Sequence, residues 1–451
     1  MGLLEKTIYT ISCTSLLVTL CLIPSTLSAQ ATAKLAPTPP MGWNSWDSYG
    51  TTVREDEVKA QADTMAATLK PFGWQYIVVD IQWYEPNAQA HGYRANAKLA
   101  MDANGRTVPA ANRFPSAADG HGFKPLADYV HSKGLRFGIH ILRGIPRQAV
   151  AENSPILGSS LHASDVANKN SLCKWNTDMY GVDMSKPGAQ TYYNSIVAQY
   201  AGWGVDLIKA DDMSSPYHQD EIEGLHQAIL HSGRPIVLSL SPGPAPVAKV
   251  ENLRENAQMW RIEDDLWDNW PSLKNMNTRI EAWSKLVQPG GWPDADMLPL
   301  GHIGLRAERG NDRLSELTHD EQQTMMTLWS IARSPLMFGG DLPTLDPFTK
   351  SLLTNVDVLL VNQHSTANRM VYSKGDLRVW TATGNASGAN KIYLAFLNLG
   401  DTQINERIPW READLHQPDG SLQNLWTGKA FLPSTNLQLA PHASALYSVD
   451  K

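Results

Sequence analysis

Cysteine is scarce in this sequence of 451 residues, which contains only three. The first 29 residues have the features of a secretory signal peptide, since Lys6 precedes an apolar stretch from Ile8 to Ile23 and a run of mostly small residues leads to Ala29. Cleavage after Ala29 would leave Cys173 alone, which excludes an internal disulfide. An exported chain without a disulfide fits a bacterial periplasm or exterior better than a eukaryotic secretory pathway. We therefore expect a secreted or periplasmic bacterial protein.

Long runs of Lys and Arg are also lacking, and the formal net charge is −7. A nucleic-acid partner is therefore not expected. The apolar stretch near the N-terminus is short and has no stop-transfer flank, so we expect no membrane association after cleavage. No Gly-rich phosphate loop follows a strand candidate, which argues against a nucleotide-binding protein.

Apolar residues make up 42% of the chain, and from Pro37 to about Phe348 short apolar runs alternate with amphipathic stretches. This alternation predicts strands and helices in turn, and hence a parallel sheet. Eight strands are predicted, at Met41–Trp46, Tyr76–Trp83, Arg136–Leu142, Asp206–Asp211, Ile236–Ser241, Met259–Asp265, Trp292–Leu298 and Leu336–Gly339. Helices are predicted between them, at Asp56–Leu69, Ala189–Trp203, Asp220–Ser232, Ser272–Leu286 and Asp320–Ala332. Eight such units favour an α/β fold of the (β/α)8 TIM-barrel type over an open sheet.

Beyond about Val361 the pattern changes to short alternating runs separated by turn residues, which predicts a C-terminal antiparallel β-sandwich. Its strands are expected at Leu377–Thr381, Lys391–Asn398, Ile404–Ile408 and Ala443–Ser448. The expected organisation is a signal peptide over residues 1–29, a barrel over 30–360 and a β-sandwich domain over 361–451. A long polar segment from Ile145 to Lys186 follows the third strand, and we expect it at the carboxyl face of the barrel.

Carboxylates recur where the predicted barrel strands end. They are Asp80 at strand two, Asp211 and Asp212 at strand four, Asp264 and Asp265 at strand six, and Asp294 and Asp296 at strand seven. Side chains at the carboxyl ends of barrel strands converge on one pocket. A single Asp at such a position is often a helix cap, but four sites together favour a functional pocket.

A ring of acids could bind a divalent metal ion or cleave glycosidic bonds. The set lacks the His partners usual for zinc, although acids alone could hold magnesium or calcium. Glycosidic chemistry needs one carboxylate as nucleophile and a second as acid/base. Lys209 shares strand parity with Asp211, and Arg261 shares it with Asp265, so that each cation could keep a carboxylate ionised. A salt bridge in the barrel interior is the alternative interpretation of each pair.

Five motifs, taken in order, resemble one known family. They are Met41–Trp46 (MGWNSW), Lys209–Asp211 (KAD), the spacing from Arg261 to Asp265, Gly290–Leu298 (GGWPDADML) and Ser334–Leu336 (SPL). The sequence resembles glycoside hydrolase family 27, the α-galactosidases and α-N-acetylgalactosaminidases, from about Pro37 through the C-terminal β domain.

The resemblance implies a retaining double displacement that needs no cofactor and no metal ion. Asp211 matches the nucleophile of the family, which attacks the anomeric carbon and forms a glycosyl-enzyme. Asp265 matches the acid/base, which protonates the leaving oxygen and later activates water.

The resemblance also implies a set of substrate-binding residues. Lys209 and Arg261 match residues that hydrogen-bond sugar hydroxyls, and Asp296 matches a residue that supports the sugar and the acid/base region. Trp46 matches the aromatic wall of the sugar subsite. Asp80 matches the first of two acids that usually grip the 4- and 6-hydroxyls.

Five residues depart from the family's pattern. Ile81 stands where a second Asp is usual, His140 where a Tyr is usual, and Ser241 where galactosidases tend to carry a Glu that reads the sugar 2-position. We expect His140 and Ser241 to bind substrate all the same. Arg143 and Arg147 replace a Cys-bearing loop, and they could recognise a carboxylate or sulfate, or pair with nearby Asp residues and brace the loop.

The expected function is cleavage of terminal α-galactosidic bonds in an oligosaccharide or polysaccharide. Ile81 removes one grip on the sugar unless a loop acid such as Glu85 replaces it, so the same mechanism on an α-N-acetylgalactosaminide, a β-L-arabinopyranoside or a charged galactoside stays open. A metal-dependent hydrolase is a further alternative. A carbohydrate-binding protein without activity is disfavoured, because both catalytic carboxylates are present.

Overall fold

The structure is a computed structural model that describes Gly2, residues 35–384 and residues 391–450. Apart from Gly2, the predicted signal peptide over residues 1–29 lies outside the described residues. Within the described ranges, no helix is both long enough and apolar enough to cross a membrane.

Eight parallel strands form the first and larger sheet. They are β1 (Met41–Asn44), β2 (Tyr76–Val79), β3 (Arg136–Leu142), β4 (Leu207–Asp211), β5 (Val237–Leu240), β6 (Met259–Arg261), β7 (Trp292–Asp294) and β8 (Leu336–Phe338). Strands β1 to β7 pair with their neighbours in chain order, and β1 also pairs with β8. The segment after β7 bridges to β8 through Leu298, whose amide donates to the carbonyl oxygen of Met337 over 2.8 Å. The predicted (β/α)8 barrel is therefore confirmed.

Helices follow the barrel strands along the chain. They are α1 (Glu55–Thr68), α2 (Lys124–Ser132), α3 (Ala189–Trp203), α4 (Gln219–Ser232), α5 (Val250–Asn256), α6 (Trp270–Ser284), α7 (His319–Ala332), α8 (Pro347–Leu353) and α9 (Val356–His364). Local signals fix several of their ends. Helix α7 begins with a capping box, in which Thr318 and Glu321 bond each other's backbone amides. Helices α3 and α4 end at Gly204 and Gly233, both in the left-handed conformation that favours glycine.

The polar segment after β3 folds into a small antiparallel sheet with strands Ile145–Pro146, Ala167–Leu172 and Met179–Val182. Asp178 ties this sheet to the loop that follows β2. Its Oδ2 atom accepts hydrogen bonds from Nε2 of Gln82 over 3.0 Å and from the Tyr84 hydroxyl over 3.1 Å. The segment therefore covers the carboxyl face of the barrel, as the sequence predicted.

The C-terminal strands form a second unit. They are β9 (Ser365–Lys374), β10 (Leu377–Gly384), β11 (Lys391–Asn398), β12 (Ile404–Arg407), β13 (Leu422–Asn424), β14 (Ala430–Phe431), β15 (Asn436–Leu439) and β16 (Ser444–Asp450). Six of them form an antiparallel sheet in the order β9-β10-β11-β16-β13-β14, and β12 pairs with β15. Alternate residues such as Val379, Phe396 and Leu437 are buried together between the two sheets. The predicted β-sandwich is confirmed.

Candidate active site

Four carboxylates at the carboxyl face of the barrel form one cluster with two cations and an imidazole. The carboxylates are Asp211 at the end of β4, Asp80 directly after β2, and Asp265 and Asp296 in the loops after β6 and β7. The cationic and imidazole side chains are Lys209 on β4, Arg261 on β6 and His140 on β3. Parallel strands of a closed barrel present these positions to the same pocket. The structure thus brings together the acids that the sequence placed at strand ends.

Asp211 is held in an ionised state. Its Oδ2 atom lies 3.0 Å from Nε2 of His140, and its Oδ1 atom accepts a 2.9 Å hydrogen bond from the amide of Asp212. Burial raises the pKa of Asp211, but the hydrogen bond and charge of His140, the Lys209 ammonium and the Asp212 amide together bring that pKa below its ordinary value. The side chain is 15% exposed. An ionised, accessible carboxylate of this kind can act as a nucleophile.

Lys209 forms its ion pair with Asp80. The Nζ atom lies 2.8 Å from Oδ2 of Asp80, which also accepts a 2.7 Å hydrogen bond from Nδ2 of Asn44. The Oδ1 atom of Asp80 accepts from the amide of Ile81 over 2.9 Å. Burial raises the pKa of Asp80, but Lys209, the nearby imidazole and these hydrogen bonds bring that pKa well below its ordinary value. Asp80 is therefore a fixed, ionised acceptor at the edge of the pocket.

Asn44 is not among the site residues predicted from the sequence, although it belongs to the MGWNSW motif. Besides its bond to Asp80, it accepts a 2.8 Å hydrogen bond from the amide of Trp46 through Oδ1. Asn44 thus links the carboxylate to the start of the short helix Trp46–Tyr49. Its position in a strand-ending motif beside the predicted aromatic wall was the available signal.

Arg261 joins Asp265 to Asp296. Its Nη2 atom lies 3.2 Å from Oδ1 of Asp265, and its Nη1 atom lies 2.7 Å from Oδ1 of Asp296. The prediction of a strand that extends to Asp265 is wrong, because β6 ends at Arg261. The following loop, not strand parity, returns Asp265 to the guanidinium group. The second oxygen of Asp296 accepts a 2.6 Å bond from the amide of Leu266, which fixes that loop.

Asp265 and Asp296 differ in their environment. Asp265 is 32% exposed, at the rim of the pocket, where it can reach solvent. Asp296 is buried, and burial raises its pKa to about 7. The Arg261 guanidinium lowers that pKa, while the charges of Asp265 and Asp294 raise it. The pair therefore places an accessible carboxyl beside a buried one on a shared cation.

Trp46 forms part of an aromatic wall that the sequence only partly predicts. Its ring stacks on Tyr93 with centroids 5.8 Å apart and an interplanar angle of 18°. Burial raises the pKa of Tyr93, and the charges of Asp211 and Asp265 raise it further, because this hydroxyl is near both carboxylates. Tyr93 lies in the loop between β2 and α2, where no motif marks it. It is therefore a pocket residue that the sequence did not reveal.

Ser241 follows β5 and lies next to the end of β4. Its amide donates to the carbonyl oxygen of Ala210 over 2.9 Å. The side chain is buried, and within the described ranges its hydroxyl has no hydrogen-bond partner. A hydroxyl group beside Asp211 is thus available to a ligand, which is compatible with the predicted substrate contact.

Asp47, next to the aromatic wall, is a buried acid that the sequence did not single out. Its side chain is fully buried, and neither carboxyl oxygen has a hydrogen-bond partner among the residues that the structure describes. Burial raises the pKa of Asp47 well above its ordinary value, and the charges of Asp296 and Asp265 raise it further. Burial and these charges therefore favour the protonated carboxyl over the carboxylate.

The Arg143 side chain forms its hydrogen bonds with other residues of the protein. It is buried, and its guanidinium bonds Asp212 over 2.7 Å and Glu221 over 2.5 Å. Of the two interpretations drawn from the sequence, the structure supports pairing with nearby acids. Arg147 packs its guanidinium 4.9 Å from the ring centroid of Tyr180 and donates through Nε to the carbonyl oxygen of Met179 over 2.9 Å.

The donor set of the pocket does not suit a metal ion. Among the residues that the structure describes, no group of three or more His, Cys, Asp and Glu side chains is arranged to hold one. Lys209 and Arg261 already form ion pairs with Asp80, Asp265 and Asp296. The geometry instead provides two carboxylates of different exposure around one pocket. Glycosidic bond cleavage requires such a pair of carboxylates.

Comparisons with known proteins agree with this geometry. A family model described as alpha galactosidase A matches residues 38–186 and 180–364. The chain is 30% identical to an alpha-galactosidase from Coffea arabica over 430 residues, which cover 92% of this chain and 94% of the relative. It is also 30% identical to an alpha-N-acetylgalactosaminidase from Gallus gallus, over 73% of this chain and 71% of that relative.

Among solved structures, the chain is similar to a β-L-arabinopyranosidase of family 27 from Geobacillus stearothermophilus, solved in complex with arabinose. The two share 50% sequence identity and a TM-score of 0.89, over 93% of this chain and 99% of that one. The similarity covers both the barrel and the C-terminal sandwich.

Proposed function

Because the chain belongs to glycoside hydrolase family 27, the family of alpha galactosidase A, and is a glycosidase, we propose that it removes terminal β-L-arabinopyranosyl units. The carrier is an oligosaccharide or polysaccharide, and the anomeric configuration is retained. The observation that carries this proposal is the pair Asp80 and Ile81 at the end of β2. The similarity to the Geobacillus enzyme, named for the same sugar, supports it.

The pair Asp80 and Ile81 suits a pyranose without a hydroxymethyl group. β-L-Arabinopyranose has the ring configuration of α-D-galactopyranose but lacks its C6 carbon and hydroxyl. Asp80 offers an ionised acceptor for a ring hydroxyl, whereas Ile81, which is 1% exposed, stands where a second acid usually binds the 6-hydroxyl. A galactose 6-hydroxyl buried against Ile81 would lose a hydrogen bond, which costs about 1–3 kcal/mol. β-L-Arabinopyranose has no 6-hydroxyl, so it loses no hydrogen bond at this position.

In the proposed first step, the Asp211 carboxylate attacks the anomeric carbon and the bond to the leaving oxygen breaks. Asp265 donates its proton to that oxygen, so the leaving group departs as an alcohol. The lowered pKa of Asp211 keeps the nucleophile ionised for this attack. The product of this step is a glycosyl ester of Asp211.

In the second step, Asp265 accepts a proton from water, and the water oxygen attacks the anomeric carbon on the face that the leaving group vacated. The ester bond to Asp211 breaks, and the carboxylate is regenerated. Two inversions give net retention. The partial exposure of Asp265 suits this step because water must reach it.

α-Galactosides are the second candidate substrate. The relative from Coffea arabica, which spans nearly the whole chain, carries the name alpha-galactosidase. This is also the substrate that the sequence alone favoured. On this chain an α-galactoside would place its hydroxymethyl group against Ile81, so we expect a lower kcat/KM than for the arabinopyranoside.

The test measures how fast the mature protein hydrolyses four nitrophenyl glycosides: the β-L-arabinopyranoside, the α-galactoside, the α-N-acetylgalactosaminide and the α-glucoside. We expect kcat/KM for the arabinopyranoside to exceed that for the α-galactoside by about tenfold or more. With the β-L-arabinopyranoside as substrate, proton NMR of the first sugar released should show the β anomer. A chelator should leave the rate of hydrolysis unchanged. Preference for the α-galactoside would overturn the sugar assignment, and release of the α anomer would overturn the mechanism.

We also propose that the protein is exported after loss of residues 1–29. The apolar stretch that ends in small residues and Ala29 supports this proposal. Mass spectrometry of protein from the periplasm or medium should give an N-terminus at or near Gln30. A mature chain that still begins at Met1 would contradict it.

A further inference from the structure

Trp175 is an exposed aromatic side chain beside the pocket. It lies in the segment that covers the carboxyl face of the barrel, and 38% of its surface is exposed. Elsewhere in the described ranges, tryptophans are buried or half-buried. An exposed indole leaves a large apolar surface in contact with water, which is unfavourable. Its position at the rim of the pocket therefore needs an explanation.

Three aromatic rings lead from the catalytic cluster to Trp175. The Trp46 ring is buried and stacks on Tyr93 at 5.8 Å, and the Tyr93 ring lies 5.4 Å from Trp175 at an interplanar angle of 44°. Tyr93 is half-buried. Exposure therefore increases from Trp46 through Tyr93 to Trp175, which gives the direction from the floor of the pocket to its mouth.

The loop that carries Trp175 is held in place at several points. The Thr177 hydroxyl oxygen accepts a 2.8 Å hydrogen bond from the amide of Asn96, and Asn96 follows Tyr93 closely in the chain. Asp178 is bonded by Gln82 and Tyr84 in the loop after β2. The platform of Tyr93 and Trp175 is therefore positioned before any ligand binds, which reduces the entropy lost on binding.

A retaining enzyme that removes terminal sugars places the leaving group at the mouth, next to the acid that protonates it. Resting on the function proposed above, we propose that Trp175 and Tyr93 form a leaving-group subsite that stacks on the sugar ring from which the terminal unit is cleaved. The flat apolar face of a neutral pyranose or furanose matches the indole.

The test compares two substrates that carry the same terminal sugar. One is the glycosyl fluoride, whose leaving group is a single atom, and the other is a disaccharide in which that sugar is linked to a neutral hexose. The measured quantity is the ratio of kcat/KM for the disaccharide to kcat/KM for the fluoride. In Trp175→Ala we expect this ratio to fall by about tenfold, and in Trp175→Phe by less than about threefold.

Leu172→Ala is the matched control, since Leu172 is exposed on the same segment and takes no part in the proposed subsite. It should leave the ratio unchanged. An unchanged ratio in Trp175→Ala would overturn the subsite and leave the proposed function standing. A wild-type protein that hydrolyses neither substrate, whichever sugar of the panel is used, would overturn both.

Discussion

The Nζ atom of Lys209 lies 2.8 Å from Oδ2 of Asp80, although β3 separates the strands that carry them. Lys209 is two residues before Asp211, and its charge also acts on that carboxylate. Burial raises the pKa of both acids, and Lys209 is among the groups that bring both values below the ordinary one. One ammonium group thus keeps Asp80 and the proposed nucleophile ionised together.

Replacement of Lys209 by Met tests this shared role. The change leaves the buried Asp80 carboxylate without its cation, so we expect a loss of roughly 3–5 kcal/mol in the free energy of unfolding at pH 7. The ionised Asp80 stabilises the wild-type fold above its unfolded pKa of about 3.9, and that contribution is lost as the pH falls. The stability difference between wild type and variant should therefore shrink as the pH falls below about 4 in urea titrations.

The double variant Lys209→Met/Asp80→Asn is the control for that experiment. It removes both charges, so it should be more stable than Lys209→Met alone, while its activity stays low because Asp80 is lost to the substrate. A single variant that unfolds at the same urea concentration as wild type would contradict the proposed dependence of Asp80 on Lys209.

Asp211→Asn should lower kcat for an aryl glycoside by at least about 1,000-fold, because an amide cannot form the glycosyl ester. The fold should persist, since Asn can still bond His140. Thermal unfolding by circular dichroism checks that point. Asp211→Gly with added azide should recover turnover and release a glycosyl azide of the opposite anomeric configuration. Substantial activity of Asp211→Asn without an added anion would refute the assignment.

Asp265→Asn should affect substrates according to their leaving group. A nitrophenolate needs little protonation, whereas a sugar alcohol needs a proton from the acid, so the loss in kcat/KM should be about 10²- to 10⁴-fold for a disaccharide and far smaller in the first step for the aryl glycoside. The matched control is Asp264→Asn, an exposed neighbour that can keep its bond to the Asp265 amide. Equal losses on both substrates would argue against an acid role for Asp265.

The barrel could be predicted from sequence because its signals are local. A run such as Tyr76–Val79 is apolar over its whole length, as a strand covered on both faces requires, and the helices between the strands have regular apolar spacing. The carboxyl ends of such strands meet by geometry, so the positions of Asp80 and Asp211 in one pocket followed from strand assignment alone.

The contacts inside the pocket could not be predicted in the same way. Arg261 reaches Asp265 through a loop whose path depends on the bond between Asp296 and the Leu266 amide. Tyr93 reaches the pocket from a loop that has neither periodicity nor a motif. Such positions are set by packing between distant segments, which a single sequence does not encode in any local pattern.

Ile81→Asp should shift the preference toward α-galactosides. The new carboxylate restores an acceptor for the 6-hydroxyl, so the ratio of kcat/KM for α-galactoside to that for β-L-arabinopyranoside should rise by about 10- to 100-fold. Ile81→Leu keeps an apolar side chain of equal volume and should leave the ratio near the wild-type value. A ratio that does not move in Ile81→Asp, with thermal stability retained, would show that position 81 does not read the sugar.

Asp47→Asn should stabilise the protein, and more so as the pH rises. The pKa of Asp47 is raised well above its ordinary value, first by burial and then by Asp296 and Asp265, so the folded protein keeps a proton that the unfolded chain releases above about pH 3.9. The wild type therefore loses up to about 1.4 kcal/mol of stability per pH unit between that value and the folded pKa. Asn carries no such proton, so its advantage should be absent near pH 4 and grow as the pH rises above that value in urea titrations. Asp419→Asn, at an exposed position of the C-terminal domain, should show no such trend, and a constant difference for Asp47→Asn across this range would mean that Asp47 is ionised in the folded protein.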